Sequence, residues 1–349
     1  MRKRYTKKKY NKIIGIVAIM IAVACGVVAL SILTKEEKSN NENKIIYDSL
    51  RSKIHKNTND NIDSENGTAY DTIDWEALKG YPVVGWIKLG NYIDYPILQN
   101  DDNKYYLTHS YDGTYNANGS IFMNCNNNSD FMDLNTIIYG HNMRNKSMFG
   151  SIKDLLSASE DDPKEFYIYL PDGTKHTYSI LSIDKVKDLG FAFQTSFGSL
   201  SAFDNYKNQM ISASEYSFNV DKTSNKTVML STCNSYGSAA GNRVVVLGQE
   251  ECSEQIQSPA SWYKKRNYIE INNTKAICLK DDDYYYIIQD SIAIRCIDEE
   301  TVNNLIKDNS DTVIVRVEYE KCDEYLNYQD LNGKIIQYEL MDIIDYVIE

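Results

Sequence analysis

None of the seven cysteines (Cys25, Cys125, Cys233, Cys252, Cys278, Cys296, Cys322) stands in a C-x-x-C pair. That spacing is what a zinc ribbon or a thioredoxin-type redox centre needs, so both are excluded. Neither Asp101-Asp102 nor Asp281-Asp282-Asp283 carries an EF-hand spacing with its glycine turn, and both read as solvated loops. No metal or cofactor is expected. Acids are absent from residues 1–12, which hold seven basic side chains (Arg2, Lys3, Arg4, Lys7, Lys8, Lys9, Lys12), and the remaining chain carries a formal charge of -19 out of the total of -12. A continuous basic face is therefore missing from the folded part, which excludes nucleic acid as a partner. No internal repeat is evident.

Charge is also absent from residues 13–33, IIGIVAIMIAVACGVVALSIL. A helix needs roughly 20 apolar residues to cross a bilayer, whereas the apolar part of a cleaved signal is shorter, about 7–15 residues. The run predicts a retained anchor. Basic residues on its N-terminal side predict an N-in, C-out topology with everything after residue 33 outside the cell. Such a location permits disulfides, and four cysteines fall after residue 250, although the sequence assigns no pairing and free buried thiols are the alternative.

The chain then divides by composition. Residues 1–34 are the basic tip and the anchor. Residues 35–72, rich in Asn, Lys, Ser, Asp and Glu, read as a tether with one amphipathic helical piece near 44–55. Residues 73–250 carry short β-type runs separated by turn clusters, at 84–89, 95–99, 120–124, 136–140, 166–170, 176–187, 227–232 and 243–248. Helical spacing appears at 148–156 and 199–212. Residues 259–349 hold strand-like runs at 284–289, 292–297, 312–319 and 334–340 with a helix at 299–307, the pattern of a small α+β domain of unassigned role. The Tyr284-Tyr285-Tyr286 run is read as strand packing.

The sharpest local feature is TVMLSTCNSYGSAAGNRVVVLG, residues 227–248. Two β-branched runs flank a polar, glycine-containing loop, so an antiparallel hairpin with a wide turn is expected. Cys233 leaves the first strand and Arg243 opens the second, which brings both to one rim of the sheet. A guanidinium beside a thiol favours thiolate and offers a fork of donors to a developing oxyanion. Taken alone, the pair reads first as a buried apolar filler and a solvated edge charge. What favours chemistry is NTIIYGH, residues 135–141, an apolar strand that ends on His141. A thiol nucleophile needs such an imidazole to move its proton. Of the other three histidines, His55 lies in the tether, while His109 and His176 read as surface residues.

The set formed by Tyr139-Gly140-His141-Asn142, Leu230-Ser231-Thr232-Cys233 and Asn242-Arg243 resembles the TLxTC signature of the sortase family, with Met229 where the family often has Thr. Val84-Gly85-Trp86-Ile87, Ile93-Asp94-Tyr95-Pro96-Ile97, Asn103-Lys104-Tyr105-Tyr106-Leu107 and Gly119-Ser120-Ile121-Phe122 are similar to the entry of class B sortases. The resemblance covers residues 73–250. It implies a mainly β fold, a closed sortase-type barrel with few helices, to which the C-terminal α+β domain is added. It further implies a cysteine transpeptidase with Cys233 as nucleophile, His141 as acid and base, and Arg243 at the oxyanion. Thr232 and Ser231 would line the substrate groove, and Phe193 and Phe197 in FAFQTSF would form its wall, with core packing as their alternative role. Implied partners are secreted proteins with a C-terminal sorting motif, and an amine on a peptidoglycan precursor or on a pilin. Several class B members have an acid just after the cysteine; here Asn234 and Ser235 stand there. A papain-like hydrolase, with its cysteine at a helix start, and a catalytically dead binding module are the rival expectations.

Overall fold

A computed structural model describes residues 2–54, 70, 72–157, 164–187, 190–197, 200–214, 216–217, 226–233, 242–264, 267–271, 277–280, 285–289, 292–296, 315–329 and 335–348. Nine strands follow the N-terminal helix α1 (Arg2–Ile54): β1 (Val83–Leu89), β2 (Ile93–Leu98), β3 (Phe122–Met123), β4 (Asn135–Tyr139), β5 (Glu165–Tyr169), β6 (Thr174–Lys187), β7 (Tyr216–Ser217), β8 (Thr227–Cys233) and β9 (Asn242–Gln255). Helix α2 (Leu200–Ala213) lies between β6 and β7.

The strand order β5-β1-β2-β3-β4-β8-β9-β6 closes on itself through a β5–β6 pairing, giving an eight-stranded barrel with β7 added to β6. Two contacts along this ring, β2–β3 and β4–β8, are parallel. Alternation along the strands explains why the runs look uniformly apolar. Ile138, Val228, Leu230, Val244 and Val246 join the barrel core with Trp86, Phe166 and Tyr178. Their neighbours Ile137, Met229, Val245 and Leu247 point the other way and are covered by Phe203, Tyr206 and Met210 of α2. With both faces buried, the polar alternation of a one-sided sheet disappears.

Several expected elements shift. The helix expected at 148–156 is a short 3-10 helix, Ile152–Ser157, and Met148 (φ 53°) at its expected start, like Lys146 (φ 68°) before it, adopts left-handed backbone that no helix admits. The strand expected to end at 248 runs on to Gln255 against β6, with register shifts near Thr177 and Ile180. The 120–124 strand shortens to two residues. His176 is buried rather than on the surface, because its Nδ1 donates to Glu250 Oε1 at 2.5 Å across the β6–β9 ladder.

Residues 35–54, the first part of the expected tether and including its helical piece near 44–55, are helical without a break from the apolar run. Burial recurs at Asn43, Tyr47, Leu50 and Ile54, a helical spacing that lays one face of α1 on the barrel. Arg51 Nε donates to the Asp94 carbonyl at 2.9 Å and stacks 4.7 Å over the Tyr95 ring. Asp74 N donates to the Ile54 carbonyl, closing the junction. Among the described residues, the stretch from Val17 is the one helix long and apolar enough to cross a membrane, and its apolar window buries nothing in the protein.

Beyond the barrel, β10 (Asn267–Ile271), β11 (Ile277–Lys280), β12 (Tyr285–Gln289), β13 (Ile292–Cys296), β14 (Val315–Gln329) and β15 (Ile335–Ile348) form a second sheet in the order β10-β14-β15-β13-β12-β11. Its described part is all β; the helix expected at 299–307 falls outside the described residues. Tyr286 is buried in this sheet, in keeping with a packing role. Cys252 and Cys296 are free thiols.

Candidate active site

The three expected residues lie at neighbouring ends of three adjacent strands, with His141 two residues beyond the end of β4. Cys233, the last residue of β8, is the register partner of Arg243 on β9. On the other side of β8, β4 runs parallel to it with Tyr139 opposite Ser231. The ladder continues one step through Gly140 N, which donates to the Ser231 carbonyl at 3.1 Å. His141 therefore follows Tyr139 by the same two residues that separate Cys233 from Ser231. With strands about 4.8 Å apart, one row at the rim reads His141, Cys233, Arg243.

The backbone of His141 is fixed from behind. Phe149 N donates to the His141 carbonyl at 3.0 Å, and the Phe149 ring packs so closely that a Cβ on Gly140 would lie 2.6 Å from its Cγ. Its imidazole is fixed from the side, with Nε2 2.7 Å from the carbonyl oxygen of Leu107. A carbonyl only accepts, so Nε2 carries the proton. Nδ1 is then the ring nitrogen left for exchange. Leu107 closes the short turn Tyr105–Leu107. This turn is capped by Asp102, whose Oδ1 accepts from Tyr105 N at 2.8 Å and Lys104 N at 2.9 Å. Those two bonds hold the Asp102 carboxyl below the ordinary range.

The substrate-groove expectations divide. Thr232 and Ser231 are buried, and neither hydroxyl has a hydrogen-bond partner among the described residues. They sit within the wall of the barrel. Phe197 is likewise buried, packed edge-on against Phe203 with ring centroids 5.0 Å apart, so it belongs to the packing under α2. Phe193 differs: half-buried, it stacks at 6.4 Å on Tyr139, two residues before His141. Asn135 ties this segment to the barrel, its Nδ2 donating to the Gln194 carbonyl at 2.8 Å and its Oδ1 accepting from Thr227 Oγ1 at 2.9 Å. Tyr206 adds a bond to the Ala192 carbonyl. Residues 234–241, with Asn234 and Ser235, lie outside the described residues, as does the Cys233 side chain.

Sequence reasoning passed over Leu107, Phe149 and Asn135. A backbone carbonyl acts without a side-chain signature, so Leu107 leaves none; Gly140 before the histidine was the one visible trace of the Phe149 contact.

The comparisons with known proteins agree with this arrangement. The sortase domain family matches residues 88–251. Sortase B of Listeria monocytogenes is 34% identical over 170 residues, covering 48% of this chain and 69% of that protein. The structure of the Staphylococcus aureus sortase B–substrate complex superposes with a TM-score of 0.52 at 25% identity, covering 62% of this chain and 97% of that one. Sortase B from Bacillus anthracis in complex with AAEK1 gives a TM-score of 0.50 at 26% identity, covering 61% and 98%. The family match ends at residue 251, so the second sheet is an addition to it. A closed barrel that delivers histidine, cysteine and arginine to one rim, together with these relatives, places the chain in the sortase family as a class B sortase, a cysteine transpeptidase.

Proposed function

We propose that Cys233, His141 and Arg243 carry out the transfer, and that the enzyme works at the outer face of the membrane, held by residues 13–33 with the basic tip in the cytoplasm. In this reading Nδ1 of the neutral His141 takes the thiol proton of Cys233 as the sulfur attacks the scissile carbonyl of a C-terminal sorting signal, and the guanidinium of Arg243 bonds to the oxyanion. The C–N bond breaks, the leaving amine takes a proton from His141, and a thioester remains on Cys233. An acceptor amine then attacks the thioester, gives a proton to His141 and expels the thiolate, forming the new amide bond; the thiolate takes that proton back from His141 and the resting pair is restored. The acceptor is an amine of a peptidoglycan precursor.

The observation that supports this best is the row across β4, β8 and β9, with the cysteine position in the middle. A strand-end cysteine separates the reading from a papain-like site, whose cysteine starts a helix. The test is incubation of the protein with a library of sorting-signal peptides and hydroxylamine. The expected products are a peptidyl hydroxamate and a thioester adduct on Cys233. Hydrolysis alone, or products that persist in Cys233→Ala, would reject the assignment.

A further inference from the structure

Along α1 the residues that face the barrel change character. Tyr47, Leu50 and Ile54 are apolar in the main, whereas Ser39, Asn40 and Asn43 are polar. These polar residues meet a single loop, the segment between Leu107 and Phe122. Asn116 Nδ2 donates to Asn43 Oδ1 at 2.7 Å, Asn118 Nδ2 donates to Asn40 Oδ1 at 2.9 Å, and Ser39 Oγ donates to Asn118 Oδ1 at 3.2 Å. Asn116 Oδ1 in turn accepts from Asn118 N at 2.9 Å. Asn43 and Asn118 are each 2% exposed. A buried amide network of this kind specifies one arrangement, because any slip leaves donors and acceptors without partners.

The loop passes this order on to the segment that holds the histidine. Asn116 N donates to the Thr108 carbonyl, and Ser120 N donates to the Tyr106 carbonyl. Ser120 Oγ donates to the His109 carbonyl at 2.7 Å, so the 3.0 Å contact with Tyr47 has the tyrosine as donor. Between them, Gly119 at φ 59° lies so close that a Cβ would stand 2.5 Å from the Tyr106 oxygen and 2.8 Å from the Leu107 oxygen. The Leu107 oxygen is the acceptor for His141 Nε2. Hydrogen bonds thus run from the polar face of α1, through Asn116, Asn118 and Ser120, to the carbonyls of Tyr106, Thr108 and His109 that flank the Leu107 oxygen.

We infer that the extension of the membrane helix is a positioning element of the catalytic centre, with Asn43 and Asn40 as positioning residues for His141. The inference rests on the reading of His141 as the acid and base, but its primary readout is independent of turnover. Pinning the 106–109 carbonyls keeps Leu107 O in line with Nε2, so Nδ1 stays the exchanging nitrogen throughout the cycle.

The experiment uses the full chain in lipid nanodiscs with histidine-selective 15N labelling, where four histidines give a sparse spectrum and His141→Gln assigns the signal. In the unmodified protein the Nε2 of His141 should show the shift of a protonated nitrogen. Asn43→Leu and Gly119→Ala should move both His141 nitrogens toward the average of two tautomers, and slow peptide transfer on the order of ten- to a hundred-fold, the scale of a displaced catalytic group. Asn43→Asp, which keeps the acceptor, should restore the native shifts. Leu50→Ala, on the same helix but facing the apolar core, should lower Tm and leave the shifts alone. Should Asn43→Leu fail to fold, Asn40→Ala removes one acceptor only and reads out the same change. Unchanged His141 shifts in the folded Asn43, Asn40 and Gly119 variants would overturn the inference. Shifts that move while His141→Gln still transfers peptide would instead overturn the catalytic reading and leave the helix coupling standing.

Discussion

Cys233 and Arg243 are opposite one another in the β8–β9 ladder, the last pair before the chain leaves both strands. Directly paired residues of an antiparallel ladder have Cα atoms about 4.5–5.5 Å apart. The distance is set by backbone hydrogen bonds and not by the loop between them. Lysine offers charge without a planar fork, so Arg243→Lys should keep the fold and lose transfer on the order of a hundred-fold, the cost of removing an oxyanion donor. Steady-state transfer to hydroxylamine, with circular dichroism as the control, measures it.

The glycine before the histidine is a second point of leverage. In Gly140→Ala the new methyl group meets the Phe149 ring at 2.6 Å, and overpacking of this sort costs about 1–3 kcal/mol. Because Phe149 N also holds the His141 carbonyl, activity should fall further than stability does. The companion variant Phe149→Leu in the Gly140→Ala background makes room for the methyl group and should recover part of the loss. A thermal melt and a rate assay on the two variants separate the effects.

Acid should weaken the barrel through Glu250. Burial acts to raise its pKa, but the hydrogen bond from His176 and the charge of Lys226 3.9 Å away hold it below the ordinary value of 4.5. A carboxyl depressed in the folded state contributes stability that is complete above the unfolded pKa and disappears as pH falls through the folded value. Tm should therefore decline from about pH 4.5 downward. Glu250→Gln should be less stable at neutral pH and show a flatter acid limb in differential scanning calorimetry.

Docking of α1 should be measurable by truncation of a single side chain. Leu50 is buried in the common core, and replacing such a leucine with alanine costs about 2–5 kcal/mol. Chemical denaturation of Leu50→Ala should show a lowered midpoint with an unchanged slope, since the denatured chain exposes much the same surface.

Much of the barrel and its rim was legible in advance, for identifiable reasons. β-branched runs bounded by turn residues located β4, β8 and the start of β9, and hairpin geometry alone brought Cys233 to Arg243. Positions where tertiary contacts override local pattern were not legible. The apolar spacing at 148–156 looks helical, yet Lys146 and Met148 stand at positive φ and Phe149 N bonds to the His141 carbonyl instead of joining a helix. His176 sits in a polar stretch and is nevertheless buried, because its partner Glu250 is 74 residues away on β9. Phe193 and Phe197 share one aromatic motif, but the 3-10 turn Phe191–Phe193 sends them to different neighbours, Tyr139 and α2. The helical piece expected near 44–55 is present, but the polar composition of residues 35–43 hid its continuity with the apolar run, which comes with docking rather than with local propensity.

The unbroken run of α1 turns an apparent leash into a rod. Asn43 lies ten residues beyond Leu33, where the apolar stretch stops, a rise of about 15 Å. The proposed crossing of the bilayer would therefore fix the altitude of the histidine loop as well as its attachment. An enzyme on a slack stalk samples a hemisphere of cell wall; one mounted on a strut works in a thin shell close to the lipid headgroups, and its two substrates must come to that shell to react.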